Sequence, residues 1–357
     1  MFRRDFLCKV GVSALSVAFH RQLMAAVCQN KAIKPIEGSW FEFQHVSAVE
    51  GTPWNATLEK FTAEQWDAQV KELADAGLCD LALVDIASEG RTFYPSALMP
   101  QHRLGCEDPL EVVLSAADRY GVRFFIGNGF FGDWRQAGFL MRDPEVHKLR
   151  IKVMTEVVEK YARHKSFYGW YYPNEIGIQG HYADYFISYV RACSAEVRRL
   201  TPKAKTLIAP YGTRQVKADD EFVRQLEQLD VDFIAYQDEI GVEKTKVEES
   251  AAFYERLHKL HKKAGRSRLW ADVEVFRFAG KVYNSALIPA SPERVIEQLE
   301  AVSPYVEKIL IFEYPGLINR PGSPAFAGPA ESVELYEGLA KYGTLLDSKR
   351  GQPGPRK

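Results

Sequence analysis

The sequence predicts a single (β/α)8 barrel, on three observations. A strand-length apolar run followed by a helix-period segment recurs eight times along the chain. No shift in composition separates the repeats, so neither a linker nor a second domain is expected. The main alternative, a doubly wound open sheet, wants a Gly-rich phosphate loop after its first strand, and HVSAVEGTPWN stands there instead.

The strand segments are SWFEFQHV (39–46), DLALVDIA (80–87), VRFFIGNGF (122–130), FYGWYYPNE (167–175), KTLIAPYG (205–212), VDFIAYQDE (231–239), SRLWADVEVF (267–276) and KILIFEYPG (308–316). Helical periodicity follows each. The first helix puts Trp66, Val70, Leu73 and Gly77 on one face, and a later one aligns Val146, Leu149, Val153, Val157 and Tyr161. Asp108-Pro109, Asp143-Pro144 and Ser291-Pro292 each supply a capping side chain and a proline at the first helical position. ADAGLCD, DRYGVRF and KKAGRSR close helices on glycine before the next strand. The barrel is expected over 38–345, with a polar, Gly/Pro-rich disordered tail over 346–357.

The first 30 residues read as an export signal and are set apart from the fold. A basic start precedes an apolar run from Val10 to Phe19, too short to span a bilayer as a helix, and then small residues follow. Arg3-Arg4-Asp5-Phe6-Leu7 resembles the twin-arginine export motif, so a periplasmic or extracellular location is expected. Past this segment only Cys79, Cys106 and Cys193 remain, with no CxxC or Cys/His spacing. The formal net charge of −1 offers no attraction for nucleic acid or for an anionic membrane once the signal is removed. HExxH, HxH and GxSxG are absent, which argues against metallohydrolase and serine-esterase chemistry; no cofactor and no metal is expected. His258 and His261 fall on what reads as a solvated helix face.

In a (β/α)8 barrel the active site forms at the C-terminal ends of the strands. Those ends carry His45, Asp85, Asn128, Asn174-Glu175, Tyr211, Gln237-Asp238-Glu239, Glu274 and Glu313-Tyr314 in turn. Carboxylates gathered at one rim repel, so some must be protonated, paired or chemically engaged. The chemistry that most needs two carboxyl groups on either side of one bond is glycoside hydrolysis. Glu175 and Glu274 are the catalytic candidates. Trp270, Asp272 and Glu274 alternate onto one strand face, which puts Asp272 a layer deeper and Glu274 at the rim. Asp238 and Glu239, strand neighbours pointing opposite ways, are competitors of which one should face the site. Trp170 and Tyr172 are expected to raise the Glu175 pKa. Asn174, Tyr236, Arg277, Tyr211, Glu313, Asn128, Asp85 and His45 complete the expected carbohydrate-binding set. Trp54, Trp134 and Tyr182 lie in loops where aromatic rings stack on sugars or pack beneath the loop.

Asn174-Glu175 closing strand four, with Glu274 closing strand seven, resembles the retaining glycosidases of the clan-A barrel superfamily. That resemblance implies Glu175 as acid/base, Glu274 as nucleophile and Asn174 on the sugar 2-hydroxyl. FYGWYYPNEI, LIAPYG, AYQDEIG, WADVEVF and IFEYPGLINRPGSPAF are also similar to segments of a family of bacterial exported barrels grouped as candidate glycoside hydrolases. The likeness runs from about Trp40 to the last helix. Two other classes stay open: a carbohydrate-binding barrel without turnover, and a sugar lyase or epimerase using Tyr211 or Tyr236 as base.

Overall fold

The computed structural model describes residues 33–346. The expected export signal, and all of the expected tail but Leu346, lie outside those residues. Eight parallel strands close into a barrel in chain order, the last pairing with the first. They are β1 (Gly38–Phe41), β2 (Asp80–Leu83), β3 (Arg123–Gly127), β4 (Phe167–Tyr171), β5 (Lys205–Ile208), β6 (Phe233–Gln237), β7 (Arg268–Glu274) and β8 (Lys308–Phe312). Eight main helices alternate with them: α1 (Ala63–Asp75), α2 (Pro109–Tyr120), α3 (Pro144–Tyr161), α4 (Asp184–Leu200), α5 (Asp220–Gln228), α6 (Val247–Ala264), α7 (Pro292–Val302) and α8 (Glu331–Lys341). The (β/α)8 expectation is met.

The helix signals act as their chemistry requires. Asp108 accepts from the Glu111 N–H at 3.0 Å, and Asp143 accepts from Glu145 and Val146 at 2.8 and 3.3 Å. Each satisfies N–H groups that the first turn leaves unpaired. Gly121 and Gly265 end α2 and α6 in the left-handed conformation, where a side chain would be strained.

The barrel interior is filled, not hollow. Trp40, Phe125, Tyr171, Leu207, Phe233, Trp270 and Leu310 point inward, and the rings of Phe233 and Trp270 stack with centroids 4.1 Å apart. This settles strand parity: Trp270, Asp272 and Glu274 do share the inner face of β7. Strands are shorter than the apolar runs suggest. β1 stops at Phe41, five residues before the expected end, because beyond it the chain turns to bond to its own loop, where Asn55 Oδ1 accepts the His45 N–H at 2.7 Å. Two short hairpins, Ala87–Ser88 with Arg91–Thr92 and Phe276–Phe278 with Leu287–Pro289, rise from the ends of β2 and β7. No described helix is long and apolar enough to cross a membrane.

Candidate active site

The inward-facing layer at the C-terminal rim is carboxyl-rich. Beyond the inward Tyr171 of β4, Pro173 breaks the strand and Glu175 returns toward the axis. There its Oε1 accepts the Tyr171 hydroxyl at 2.6 Å and its Oε2 accepts from Gln237 Nε2 at 2.6 Å. Burial pushes the Glu175 carboxyl up to about 7, against those two donors, which favour its ionised form. It is therefore poised to give up and take back a proton near neutrality.

On β7, Asp272 sits below Glu274. One oxygen of Asp272 lacks a partner among the described residues, and burial together with the Glu175, Glu274 and Asp238 charges holds it protonated well above the usual range. Glu274 Oε2 accepts the Val242 N–H at 2.9 Å, and burial, then Asp238, raises its pKa strongly. Asp238 lies behind the wall: Oδ1 accepts the Glu274 N–H at 3.1 Å and Oδ2 accepts from Gln298 Nε2 at 2.7 Å. Burial raises Asp238 to about 6 despite these donors. Arg294 of α7 also donates to the Glu274 carbonyl at 2.9 Å, so helix α7 fixes the end of β7 from outside.

Glu175, Asp272 and Glu274 line a cleft of about 300 Å³, with Tyr211, Trp134, Phe276 and Tyr283 on its walls. A second cavity of about 340 Å³ adjoins it, sharing Glu175, Tyr211 and Arg135 and carrying Arg214 and Lys244. Glu239 belongs to this second cavity, where Oε2 accepts the Gly212 and Thr213 N–H groups at 2.7 and 3.0 Å. Asp238 and Glu239 thus diverge, as the strand reading expects, but through a turn: both lie beyond the end of β6, and Glu239 takes a left-handed backbone with φ of 56°.

Across the cleft from β4, the ends of β1 and β8 bring Glu42, His45 and Glu313 together. His45 Nδ1 lies 3.0 Å from Glu42 Oε2 and its Nε2 lies 3.3 Å from Glu50 Oε2, while Trp54 Nε1 donates to Glu42 Oε1 at 3.1 Å. Burial would lower the His45 pKa, but the Glu42 charge and the hydrogen bonds to Glu42 and Glu50 outweigh it and push it up to about 10. Nearby Asp85 is raised to about 8 by burial and by the Glu42 charge. Sequence reasoning missed Glu42. It stands two residues after the inward Trp40, so the parity that placed Glu274 on β7 would have placed it at the rim of β1.

Several expected residues do not reach the cleft. Trp170 and Tyr172 flank the inward Tyr171 and so face the helix layer. Trp170 Nε1 donates to Thr201 Oγ1 at 3.0 Å, and the Tyr172 hydroxyl lies 3.0 Å from Ser194 Oγ. The aromatic group touching Glu175 is Tyr171, which corrects the expectation that Trp170 and Tyr172 tune it. Tyr236 is outward too, its hydroxyl 2.9 Å from that of Tyr182 and 3.1 Å from His261 Nε2. That contact also corrects the solvated-face reading of His261, which is buried with its pKa lowered to about 4 by desolvation. Asn174 is buried and donates to the Tyr189 hydroxyl at 3.3 Å, away from the cleft. Asn128 donates to Cys193 Sγ at 3.5 Å, and Arg277 is exposed on its hairpin. Trp54 and Tyr182 pack beneath their loops, whereas Trp134 faces the cleft.

Solved structures share this architecture at low identity. A candidate alpha-L-fucosidase from Bacteroides thetaiotaomicron is 21% identical over 87% of this chain and 94% of its own, with a TM-score of 0.68. The endo-beta-1,4-mannanase of Thermotoga petrophila is 13% identical over 91% of this chain and 79% of its own, TM-score 0.58. A glycoside hydrolase family 5 mannosidase from Rhizomucor miehei is 12% identical over 89% of this chain and 94% of its own, TM-score 0.53. At these identities the likeness is one of fold. No protein of curated function matches the sequence. Residues 36–325 match the domain of unknown function DUF4434, and since that span takes in all eight barrel strands, the chain belongs to the DUF4434 family.

Proposed function

We propose that this barrel is a glycoside hydrolase acting on an oligo- or polysaccharide, with Glu175 as acid/base and Glu274 as nucleophile. The observation that carries this is one cleft lined by two carboxyls from β4 and β7 in unlike environments. Glu175, near 7, can exchange its proton at neutrality, whereas the larger rise falls on Glu274, so the nucleophile's role rests on its place at the end of β7 and not on proton affinity. Glu175, held near 7, gives its proton to the glycosidic oxygen as the anomeric C–O bond breaks. Glu274 forms the ester bond to the anomeric carbon. Glu175 then takes a proton from water, whose oxygen displaces Glu274 and restores both groups.

Glu274 must first lose to solvent in the cleft the proton that its raised pKa holds, and two features then favour its ionised form. The Val242 N–H already points at its Oε2. Positive charge building on the sugar ring then favours the ionised form at the moment of attack. Trp134, Tyr211 and Tyr283 offer ring faces for the sugar. Asn174 faces Tyr189, so the geometry lends no support to a 2-hydroxyl contact from it.

The test is hydrolysis of a panel of aryl glycosides and of plant and bacterial polysaccharides by wild type, Glu175→Gln and Glu274→Gln. Loss of turnover in both folded variants supports the pair, and the anomer released first distinguishes retention from inversion. Wild-type binding without turnover would instead indicate a carbohydrate-binding barrel. Unsaturated elimination products would indicate a lyase. We also infer export through the twin-arginine-like segment. Replacing both arginines together, Arg3→Lys with Arg4→Lys, should hold the precursor in the cytoplasm, and unchanged export would refute this.

A further inference from the structure

We propose that Glu42, His45 and Glu313 bind a divalent transition-metal ion of the zinc or manganese type at the floor of the cleft. One ligand atom from each lies within 4.8 Å of the other two, and all three residues are buried. Groups bonded to one such ion at about 2.1 Å stand roughly 3–4 Å apart, so a small contraction closes the set.

A charged His45 between Glu42 and Glu50 would account for those two carboxylates without any ion. It does nothing for Glu313. That side chain is 0% exposed, and neither of its oxygens receives a hydrogen bond from a described residue. What faces it is Glu42, near enough for a protonated Glu313 to donate a hydrogen bond to it. Nor is an opposing lysine or arginine paired with it among the described residues. Two buried carboxyls face to face need a proton or a cation between them; a shared proton answers one oxygen of Glu313 and leaves the other without a partner, whereas a cation answers the whole cluster.

The surrounding contacts fit the same assignment. Glu50 Oε2 lies 3.3 Å from Nε2, the ring nitrogen turned away from the cluster, and Trp54 Nε1 holds Glu42 Oε1 at 3.1 Å. A carboxylate behind a ligating histidine and a fixed donor behind a ligating carboxylate are the usual supports of a metal site. One imidazole with two carboxylates suits first-row divalent ions better than calcium or magnesium, which favour oxygen alone. Glu42 and His45 line the cleft, so the remaining coordination positions open toward a bound sugar, whose vicinal hydroxyls suit them.

The experiment is calorimetric titration of the full, chelator-treated chain with Zn2+, Mn2+ and Ca2+, with metal content measured after desalting. Zn2+ or Mn2+ is expected to be retained at one ion per chain and Ca2+ to bind more weakly. Glu313→Gln and His45→Gln should each weaken binding at least tenfold, with circular dichroism confirming that they fold. If either fails to fold, Glu50→Gln provides the readout, with a loss of about tenfold. Absence of retained metal would overturn the assignment. So would equal retention by the variants, which would place the ion on surface groups such as His181 and Asp219.

Discussion

At the residue scale, the Glu175 carboxyl is governed by three opposed influences. Burial raises its pKa, and the donors Tyr171 and Gln237 lower it. Removing a donor to the ionised form must therefore raise the pKa further. With Glu175 as the proposed acid, we expect the alkaline limb of the kcat/KM profile of Tyr171→Phe to move above its wild-type position near pH 7. An unmoved limb would mean that another group supplies the proton. The same scale shows what parity decides. Tyr171 touches Glu175, whereas its neighbours Trp170 and Tyr172 serve the helix layer, so equal aromatic character on adjacent residues led to opposite environments.

At the element scale, α7 positions Glu274 without entering the cleft. Gln298 donates to both Asp238 Oδ2 and the Glu274 carbonyl, at 2.7 and 3.0 Å. Gln298→Leu would leave a buried acceptor unpaired, at a cost of about 1–3 kcal/mol in unfolding free energy. With Glu274 as the proposed nucleophile, we expect kcat to fall more than KM rises; unchanged kcat would show that Arg294 alone fixes the strand end. On β4, a Cβ at Gly169 would stand 2.3 Å from the Lys205 carbonyl oxygen of β5. Gly169→Ala should then cost about 1–3 kcal/mol by forcing the two strands apart. Chemical denaturation measures it, and a stability equal to wild type would contradict so close an approach.

At the scale of the whole molecule, the buried carboxyl layer sets how the stability of the metal-free chain depends on pH. Folded Asp85, raised to about 8, and folded His45, raised to about 10, keep protons that the unfolded chain releases near 4 and 6.5. Between pH 7 and 9 the folded state thus binds more protons, and stability falls as pH rises. Each retained proton contributes about 1.4 kcal/mol per pH unit to that slope. Denaturation midpoints of chelator-treated protein at pH 7 and 9 should show the decline, and Asp85→Asn should flatten it around pH 7; a rising midpoint would contradict the placement of these groups. The expected strand ends supplied nearly all of the rim carboxyls, yet Glu42 stayed hidden inside an apolar run.

What the sequence determined by itself is what depends on local periodicity and on the order of residues along the chain. Alternating strand and helix patterns, Asp-Pro and Ser-Pro helix starts and glycine stops are short-range signals, so the barrel, its eight strands and the carboxyls at their ends were legible. Only the tertiary structure decided which of those groups face one another. The convergence of Glu42, His45 and Glu313 joins β1 to β8 through ring closure, and the support of Glu274 by Gln298 joins a strand end to a helix surface. Inward or outward direction rests on which residue of each short strand first meets the barrel axis. Closure and packing fix that phase together, because a one-residue shift would exchange the core for the helix layer.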